Sequence, residues 1–167
     1  GYRDPVFRKT GPGTARLNGQ FQLNYRASEV CGGTLVMAGG FGAIPNNPDA
    51  KCDFLLNGGT LAFAANDANA VGQLDLQGNS GLKVEAGANV AFAAPVGKTW
   101  KEGAILTIDA DLSQSSIRFG VDGSGLTKAQ LLQLKPPAEK TTICRYTLTD
   151  EGYLREVLRT GIVVIFR

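Results

Sequence analysis

A short glycine-cornered phrase recurs along this chain and constrains its fold more than any other feature. Residues 55–64 have the pattern of a strand, a tight corner at Asn57, Gly58 and Gly59, and a second strand. Related phrases occur at spacings of roughly 20 to 26 residues, around Gly13, Gly32, Gly81 and Gly103. A period of this length is typical of stacked repeats, so the sequence predicts an all-β solenoid of six or seven coils.

Stacking gives the prediction a specific geometry. Equivalent residues of successive coils should lie above one another, so Leu35, Leu61 and Leu82 should form one inward column. Each strand has only four or five residues, and it gains stability because its main-chain groups bond to the coils above and below. The 22 glycines and the 8% aromatic content favour a thin core of small and aliphatic side chains.

Bulk composition indicates one domain. A chain of 167 residues is too short for two comfortable domains, so we expect a single solenoid domain over 1–167, with coils in 1–120 and a closing cap in 121–167, as part of a longer protein. The net charge of +2 predicts neither nucleic-acid binding nor membrane attraction. Basic residues near the start, including Arg8, Lys9 and Arg16, are interpreted as a solvated face, with a ligand patch as the alternative.

The cap is predicted from a change of period after Gly125. Leu126, Leu131 and Leu134 fit a short helix, Thr127 and Gln130 have capping-box spacing, and two prolines follow. This helix would plug the last coil, whose open edge otherwise invites end-to-end association. Closing strands are expected at 146–148, 153–154 and 162–166.

Two places could bind a ligand. Residues 38–51 contain prolines and glycines that break the repeat, and a loop there would present Phe41, Asn46, Asn47 and Asp49. A solvated connection is the alternative for this loop. Trp100, the single tryptophan, is either an exposed sugar platform or a core residue beside the strand that follows it.

The three cysteines leave two interpretations open. Cys31 and Cys52 are separated by about one coil in the sequence, so they could face each other and form a disulfide. Alternatively, all three are small buried thiols that fill the core. Cys144 has no obvious mate.

Most catalytic chemistry is excluded by composition. With no histidine, Ser-His-Asp, Cys-His and zinc-hydrolase sites are ruled out, and no cofactor or metal site is predicted. A polysaccharide lyase or hydrolase would need carboxylates converging on one groove, for which Asp109, Asp111 and Asp75 are the candidates.

Two stretches resemble a known family. Residues 9–19, Lys-Thr-Gly-Pro-Gly-Thr-Ala-Arg-Leu-Asn-Gly, together with the Gly-Gly-Thr-Leu phrases, resemble the autotransporter-associated β-strand repeat, also called the passenger-associated transport repeat. Residues 117–134 are similar to the segment that closes such arrays in large surface and secreted bacterial proteins. The resemblance implies a right-handed parallel β-helix from the passenger or stalk of an exported protein, and it brings no catalytic residues.

The sequence therefore favours a non-catalytic structural or display module at the surface of, or outside, a Gram-negative-type bacterium. Its expected partners are a preceding domain of the same polypeptide and a host glycan or protein. The first alternative is a glycan-binding module that uses Trp100, Tyr25 or the Phe41 loop as a stacking surface. The less favoured alternative is an enzyme fragment with a carboxylate groove.

Overall fold

Two parallel sheets of six strands dominate the structure. The computed structural model describes residues 7–19, 28–40 and 52–159. The first sheet has the order β1 (Arg8–Lys9), β3 (Ser28–Val30), β5 (Phe54–Leu56), β7 (Ala68–Leu76), β9 (Asn89–Ala93) and β11 (Ser116–Phe119). The second has the order β12 (Leu134–Lys135), β10 (Leu106–Ala110), β8 (Ser80–Val84), β6 (Thr60–Phe63), β4 (Thr34–Ala38) and β2 (Thr14–Asn18).

Successive strands alternate between the two sheets, and every pairing within these sheets is parallel. Each turn of the chain thus contributes one strand to each sheet, and the described strands make up six such coils. This arrangement fits the predicted β-solenoid, an all-β fold with very little helix. The coils differ in length. Thr14 and its partner one coil later, Thr34, are separated by a short coil, whereas Leu106 and its partner Leu134 are separated by a longer one.

The core lies between the two sheets and is built from vertical columns. Leu35 pairs with Leu61, Leu61 with Leu82, and Leu82 with Ile108, and all four are fully buried. The predicted common column of Leu35, Leu61 and Leu82 is therefore confirmed. Because side chains alternate between the two faces along a strand, the residues directly before and after each column member in its own strand point outward.

Aromatic rings join coils within this core. Phe92 stacks on Phe119, with centroids 5.1 Å apart and planes at 12°, and meets Phe63 edge-to-face at 6.2 Å. Phe63 belongs to the second sheet, whereas Phe92 and Phe119 belong to the first. The three rings therefore tie the two sheets together as well as three coils.

The predicted strand, corner and strand at 55–64 is confirmed, with β5 and β6 on either side of Asn57, Gly58 and Gly59. Gly58 has φ +103°, a conformation that side chains with a Cβ disfavour. A Cβ on Gly59 would lie 2.6 Å from Val30 Cγ1 and 2.9 Å from the amide nitrogen of Gly32, on the neighbouring coil. Glycine at this corner thus permits both the turn and the close approach of two coils.

Lys9 does not contribute to a solvated basic face. Its residue is only 8% exposed, and its ammonium group donates to the carbonyl oxygens of Thr10 (2.7 Å), Gly11 (2.9 Å) and Gly32 (3.0 Å). An ammonium group has three donors, and here all three are used. Lys9 therefore holds the first glycine corner against the second, a structural role.

A short helix and an antiparallel hairpin follow β11, and the hairpin covers the end of the stack. The helix α1 (Lys128–Gln133) has the expected capping box between Thr127 and Gln130, and it lies between β11 and β12. Leu134, predicted within the helix, is instead its C-cap and the first residue of β12. The strands β13 (Ile143–Leu148) and β14 (Leu154–Leu158) form the antiparallel hairpin that follows.

The hairpin, more than the helix, supplies the apolar plug. Its residues Ile143, Tyr146 and Leu154 are buried and join the core, whereas Leu131 is only partly buried. Burial raises the pKa of the Tyr146 phenol, with Glu156 and Asp109 adding to the effect, so this hydroxyl stays protonated at neutral pH. The proposed closing strand at 162–166 lies outside the described residues.

The turn of the hairpin also covers the edge of the first sheet. The amide of Phe119 donates to the carbonyl of Gly152 at 2.9 Å, and Arg118 forms an antiparallel bridge with Tyr153. On the second sheet, the ammonium of Lys140 donates to the carbonyl of Ala110 near the end of β10. The cap thus pairs with part of the β11 edge and bonds one carbonyl at the end of β10, where another coil would otherwise pair.

Candidate functional site

Trp100 is a core residue, not a surface platform. Its residue is 4% exposed, and its indole N–H donates to the carbonyl of Leu74 at 2.9 Å. β9 pairs with β7 only as far as Gln73, so the last residues of β7 have no strand partner on that side. The segment before β10 supplies the missing donors. The Trp100 indole N–H donates to the Leu74 carbonyl, and the Lys101 backbone N–H donates to the Leu76 carbonyl at 2.8 Å. Of the two interpretations of Trp100, the core one is confirmed.

Replacing Trp100 with phenylalanine is expected to lower the free energy of unfolding by about 1–3 kcal/mol, because a buried carbonyl loses its donor. The measurement is urea unfolding followed by circular dichroism. Val96→Ala, in the same segment but 79% exposed, is the matched control and should change stability by less than about 0.5 kcal/mol. Equal stability of Trp100→Phe and the parent would contradict a structural role for the indole N–H.

The predicted loop residues Phe41, Asn46, Asn47 and Asp49 lie outside the described residues, as does Tyr25. Their role as a ligand loop stays a prediction. The strands before and after this segment are described: β4 ends at Ala38 and β5 begins at Phe54.

Of the two interpretations of the cysteines, the Cys31–Cys52 disulfide is not present in the structure. Each sulfur carries no disulfide bond in the structure. Val30 pairs with Leu56, so the position that stacks on Cys31 is that of Asn57, and Cys52 comes five positions earlier in the chain. Five positions of extended strand span about 16 Å, far more than the Cα separation of about 7 Å that a disulfide tolerates.

The three thiols instead occupy different environments. Cys52 is 1% exposed and its sulfur lies 3.5 Å from Ser28 Oγ, Cys31 is partly exposed, and Cys144 is exposed. Burial raises the pKa of the Cys52 thiol, although the hydrogen bonds to Ser28 lower it. The alternative of three buried core thiols therefore holds for Cys52 alone.

Alkylation of the native protein with iodoacetamide should modify Cys144 first and Cys52 last. The thiolate is the reactive form, and Cys52 is both inaccessible and protonated at about pH 8. Peptide mass spectrometry after timed pulses measures the three rates, and the urea-unfolded protein, in which all three should react alike, is the control. Cys52 reacting as fast as Cys144, or a Cys31–Cys52 disulfide in a non-reduced digest, would contradict the structure.

The carboxylates considered for an enzyme do not converge. Asp109 points outward from β10 in the second sheet, whereas Asp75 lies on β7 in the first sheet. Asp111 follows β10 in a turn, where its carboxylate accepts from Ser113 N (3.0 Å) and Ser113 Oγ (2.7 Å). These hydrogen bonds, chiefly that of the hydroxyl, lower the pKa of Asp111. The groove that the enzyme alternative would need is therefore not formed by these three residues, because alternate strands go to different sheets.

A cavity of about 450 Å³ lies on the outer face of the second sheet. Gly81 forms its floor, between Thr60 and Thr107 on the adjacent strands. A Cβ at Gly81 would lie 2.7 Å from Thr60 Oγ1, so glycine creates this depression. Lys83, which pairs with Asp109 in the sheet register, lines the rim. With Glu139 also in the lining, two carboxylates and one ammonium group surround this cavity.

A second groove lies on the outer face of the first sheet, beside the cap. It consists of a cavity of about 390 Å³ and another of about 290 Å³, and Ala91 and Arg118 line both. Tyr153 forms one wall of the first cavity. Sequence analysis did not single out Arg118 or Tyr153. The alternation of Arg118 with the buried Ile117 and Phe119 shows that it faces outward, but no pattern in the sequence pairs it with Tyr153.

Metal and membrane sites are not evident in the described part of the chain. Within residues 7–19, 28–40 and 52–159, no three Cys, Asp or Glu side chains are grouped as a metal site requires. The six-residue α1 is far too short to span a bilayer, and those residues contain no helix that is long and apolar enough to do so.

These features define a capped two-sheet β-solenoid with open grooves on both outer faces. Comparison with protein-family models, with curated proteins and with solved structures finds no match to this chain. Function is therefore inferred from the fold and from the grooves themselves.

Proposed function

We propose that this chain is a non-catalytic structural module of an exported bacterial surface protein, forming the closing end of a right-handed parallel β-helix that spaces or displays a preceding domain. The observation that carries the proposal is the docking of the hairpin on the last coil. Phe119 N–H donates to Gly152, and Ile143, Tyr146 and Leu154 fill the end of the core. A solenoid needs such a cap only where its stacking ends.

The opposite end of the stack supports the same proposal. In β4, Leu35 and Met37 are buried, whereas their partners in β2, Ala15 and Leu17, are only half-buried. β2 pairs with β4 and with no other described strand. Apolar residues facing inward at a half-covered edge are suited to contact with a further coil or a preceding domain.

Export and surface location rest on the resemblance of the glycine phrases and of residues 117–134 to the autotransporter-associated β-strand repeat. The structure supports the stacking that such repeats require, since the Gly-Gly-Thr-Leu phrases begin β4 and β6, which pair in register. A rod of this kind suits a stalk because its main-chain bonds run along its length, from coil to coil.

A fusion experiment tests the display role. A folded reporter domain is placed before Gly1, an outer-membrane display anchor after Arg167, and the fusion is produced in a Gram-negative host. We expect antibody labelling of intact cells to detect the reporter, with the chain resisting added protease. A reporter retained inside the cell, or a chain cleaved within its coils while the reporter remains folded, would contradict the proposal.

Of the aromatics suggested for glycan binding, Trp100 is excluded because it is buried, and Phe41 and Tyr25 lie outside the described residues. An exposed aromatic that the sequence did not suggest, Tyr153, keeps saccharide binding as the second candidate.

A further inference from the structure

The outer face of the first sheet carries a groove whose floor is lined mostly by short side chains. Ala70, Ala91 and Arg118 occupy one outward column on β7, β9 and β11, and Asn89 and Ser116 are neighbours in the adjacent column. Two alanines beside a long arginine leave the cavity of about 390 Å³, with Tyr153 of the cap as its wall. The groove is thus formed jointly by the coils and the cap.

Arg118 lies at the centre of this groove without an anionic partner. Its guanidinium carbon lies 5.8 Å from the centroid of the Tyr153 ring. Its Nε is buried and makes no hydrogen bond, and no carboxylate within the described ranges forms an ion pair with it. The covered Nε cannot be reached from the groove, but Arg118 lines both cavities, so an acceptor from outside the chain would bind the guanidinium through its terminal Nη groups.

The two cavities of the groove differ in the charged residues that line them. Among the described residues, no acidic side chain lines the cavity next to Tyr153, and Arg118 is the charged residue of its lining. The adjoining cavity of about 290 Å³ contains Asp122, whose carboxylate accepts from Ser124 N at 2.8 Å and Ser124 Oγ at 2.6 Å. A ligand that fits both cavities would place an anionic group at Arg118 and hydrogen-bond donors, such as hydroxyls, near Asp122.

The surroundings favour a saccharide over a peptide. A peptide commonly binds a sheet by adding a strand to a free edge. β9 is paired on both sides, and the edge of β11 is bridged by Tyr153, so this groove offers faces and not an edge. Tyr153 is 42% exposed, which leaves ring surface for contact with the apolar face of a sugar.

We propose that this groove binds an acidic saccharide, with the carboxylate of a uronate residue on the guanidinium of Arg118 and the sugar ring against Tyr153. The planar guanidinium fork matches a carboxylate with two parallel hydrogen bonds. Hydroxyls of the adjoining sugar donate to Asp122. The site does not depend on the display role proposed above, but it requires the docked cap, because Tyr153 belongs to the hairpin and contacts Arg118 of the last coil.

Isothermal titration at low salt tests the site with three probes. These are an oligogalacturonate, the same oligomer with its carboxyls methyl-esterified, and hexaglutamate as an acidic peptide. We expect the oligogalacturonate to bind, the ester to bind at least about tenfold more weakly because the charge-assisted bonds are lost, and affinity to fall as salt is added. The proposal is overturned if the ester binds equally, if hexaglutamate binds as tightly, or if the oligogalacturonate shows no binding at millimolar concentration.

Variants then locate the site. Arg118→Gln should weaken oligogalacturonate binding at least about tenfold, whereas Lys83→Gln, which removes an exposed cation from the other sheet, should leave it within about twofold. Tyr153→Phe keeps the ring and should bind normally, but Tyr153→Ser should lose affinity. The two Tyr153 variants still test the location of the site if circular dichroism shows that Arg118→Gln is poorly folded. Unchanged affinity in Tyr153→Ser, or an equal loss in Lys83→Gln and a folded Arg118→Gln, would overturn the assignment.

Discussion

Replacing Gly125 with alanine is expected to detach the cap from the last coil, to lower the free energy of unfolding by about 3 kcal/mol, and to make the protein self-associate. A Cβ at Gly125 would fall closer than 3.0 Å to both the carbonyl carbon and the carbonyl oxygen of Phe119. Both are backbone atoms, so no side-chain rotation can relieve the contact. The segment between β11 and α1 must move instead.

That movement matters because the backbone of Phe119 contacts the cap through both its N–H and its carbonyl group. Its N–H donates to Gly152 in the turn of the hairpin, while its carbonyl lies against Gly125. When the hairpin separates from the last coil, the edge of β11 and the buried side chains of Tyr146 and Leu154 become exposed. An exposed parallel edge is a template for pairing with another molecule.

Urea unfolding and sedimentation velocity measure the two effects of Gly125→Ala. Gly13→Ala is the matched control, because no described atom lies within 4 Å of a Cβ there and its φ is not positive. It should shift stability by less than about 0.5 kcal/mol and leave the protein in its original state of association. A Gly125→Ala protein that is as stable as the parent and does not associate would show that the cap is docked differently.

Removing the ring of Phe92 is expected to cost about 3–5 kcal/mol, the range found when large buried aromatics are truncated. Phe92 is 2% exposed and contacts Phe119 face to face and Phe63 edge to face. Its loss would leave a cavity between the two sheets that the paired strands on either side cannot easily close. Circular dichroism during urea unfolding measures the cost.

Val121→Ala is the control for Phe92→Ala, since Val121 is 78% exposed near the same end of the stack. It should be within about 0.5 kcal/mol of the parent. If Phe92→Ala costs less than about 1 kcal/mol, the ring does not join the sheets as described.

The sequence predicted the elements that local chemistry decides. The corner at Gly58 and Gly59, the column through Leu35, Leu61 and Leu82, and the capping box of Thr127 and Gln130 were all visible as short patterns. Each depends on a few neighbouring residues or on one repeat period. The corresponding predictions are confirmed in the structure.

The errors arose where coil length had to be known. An average period suggested that Cys31 faces Cys52, but residues 39–53 lengthen this coil, so that Asn57 takes the position next to Cys31. Asp75 and Asp109, which were considered only for the less favoured enzyme alternative, lie on different sheets because the position of a residue within its coil determines its sheet. Arg118 and Tyr153 meet only because the hairpin folds back on β11, which no repeat period encodes.

The variation in coil length has a consequence for how such a chain can change over time. Pairing within the sheets is maintained in the short coil from Thr14 to Thr34 and equally in the longer one from Leu106 to Leu134. Between β9 and β10, likewise, additional residues lie outside the paired strands, in the segment that carries Trp100 and exposes Val96. A gene for this fold can therefore gain or lose residues one corner at a time, and new peptide sequences grafted at Val96 should be accommodated without altering the rest of the rod.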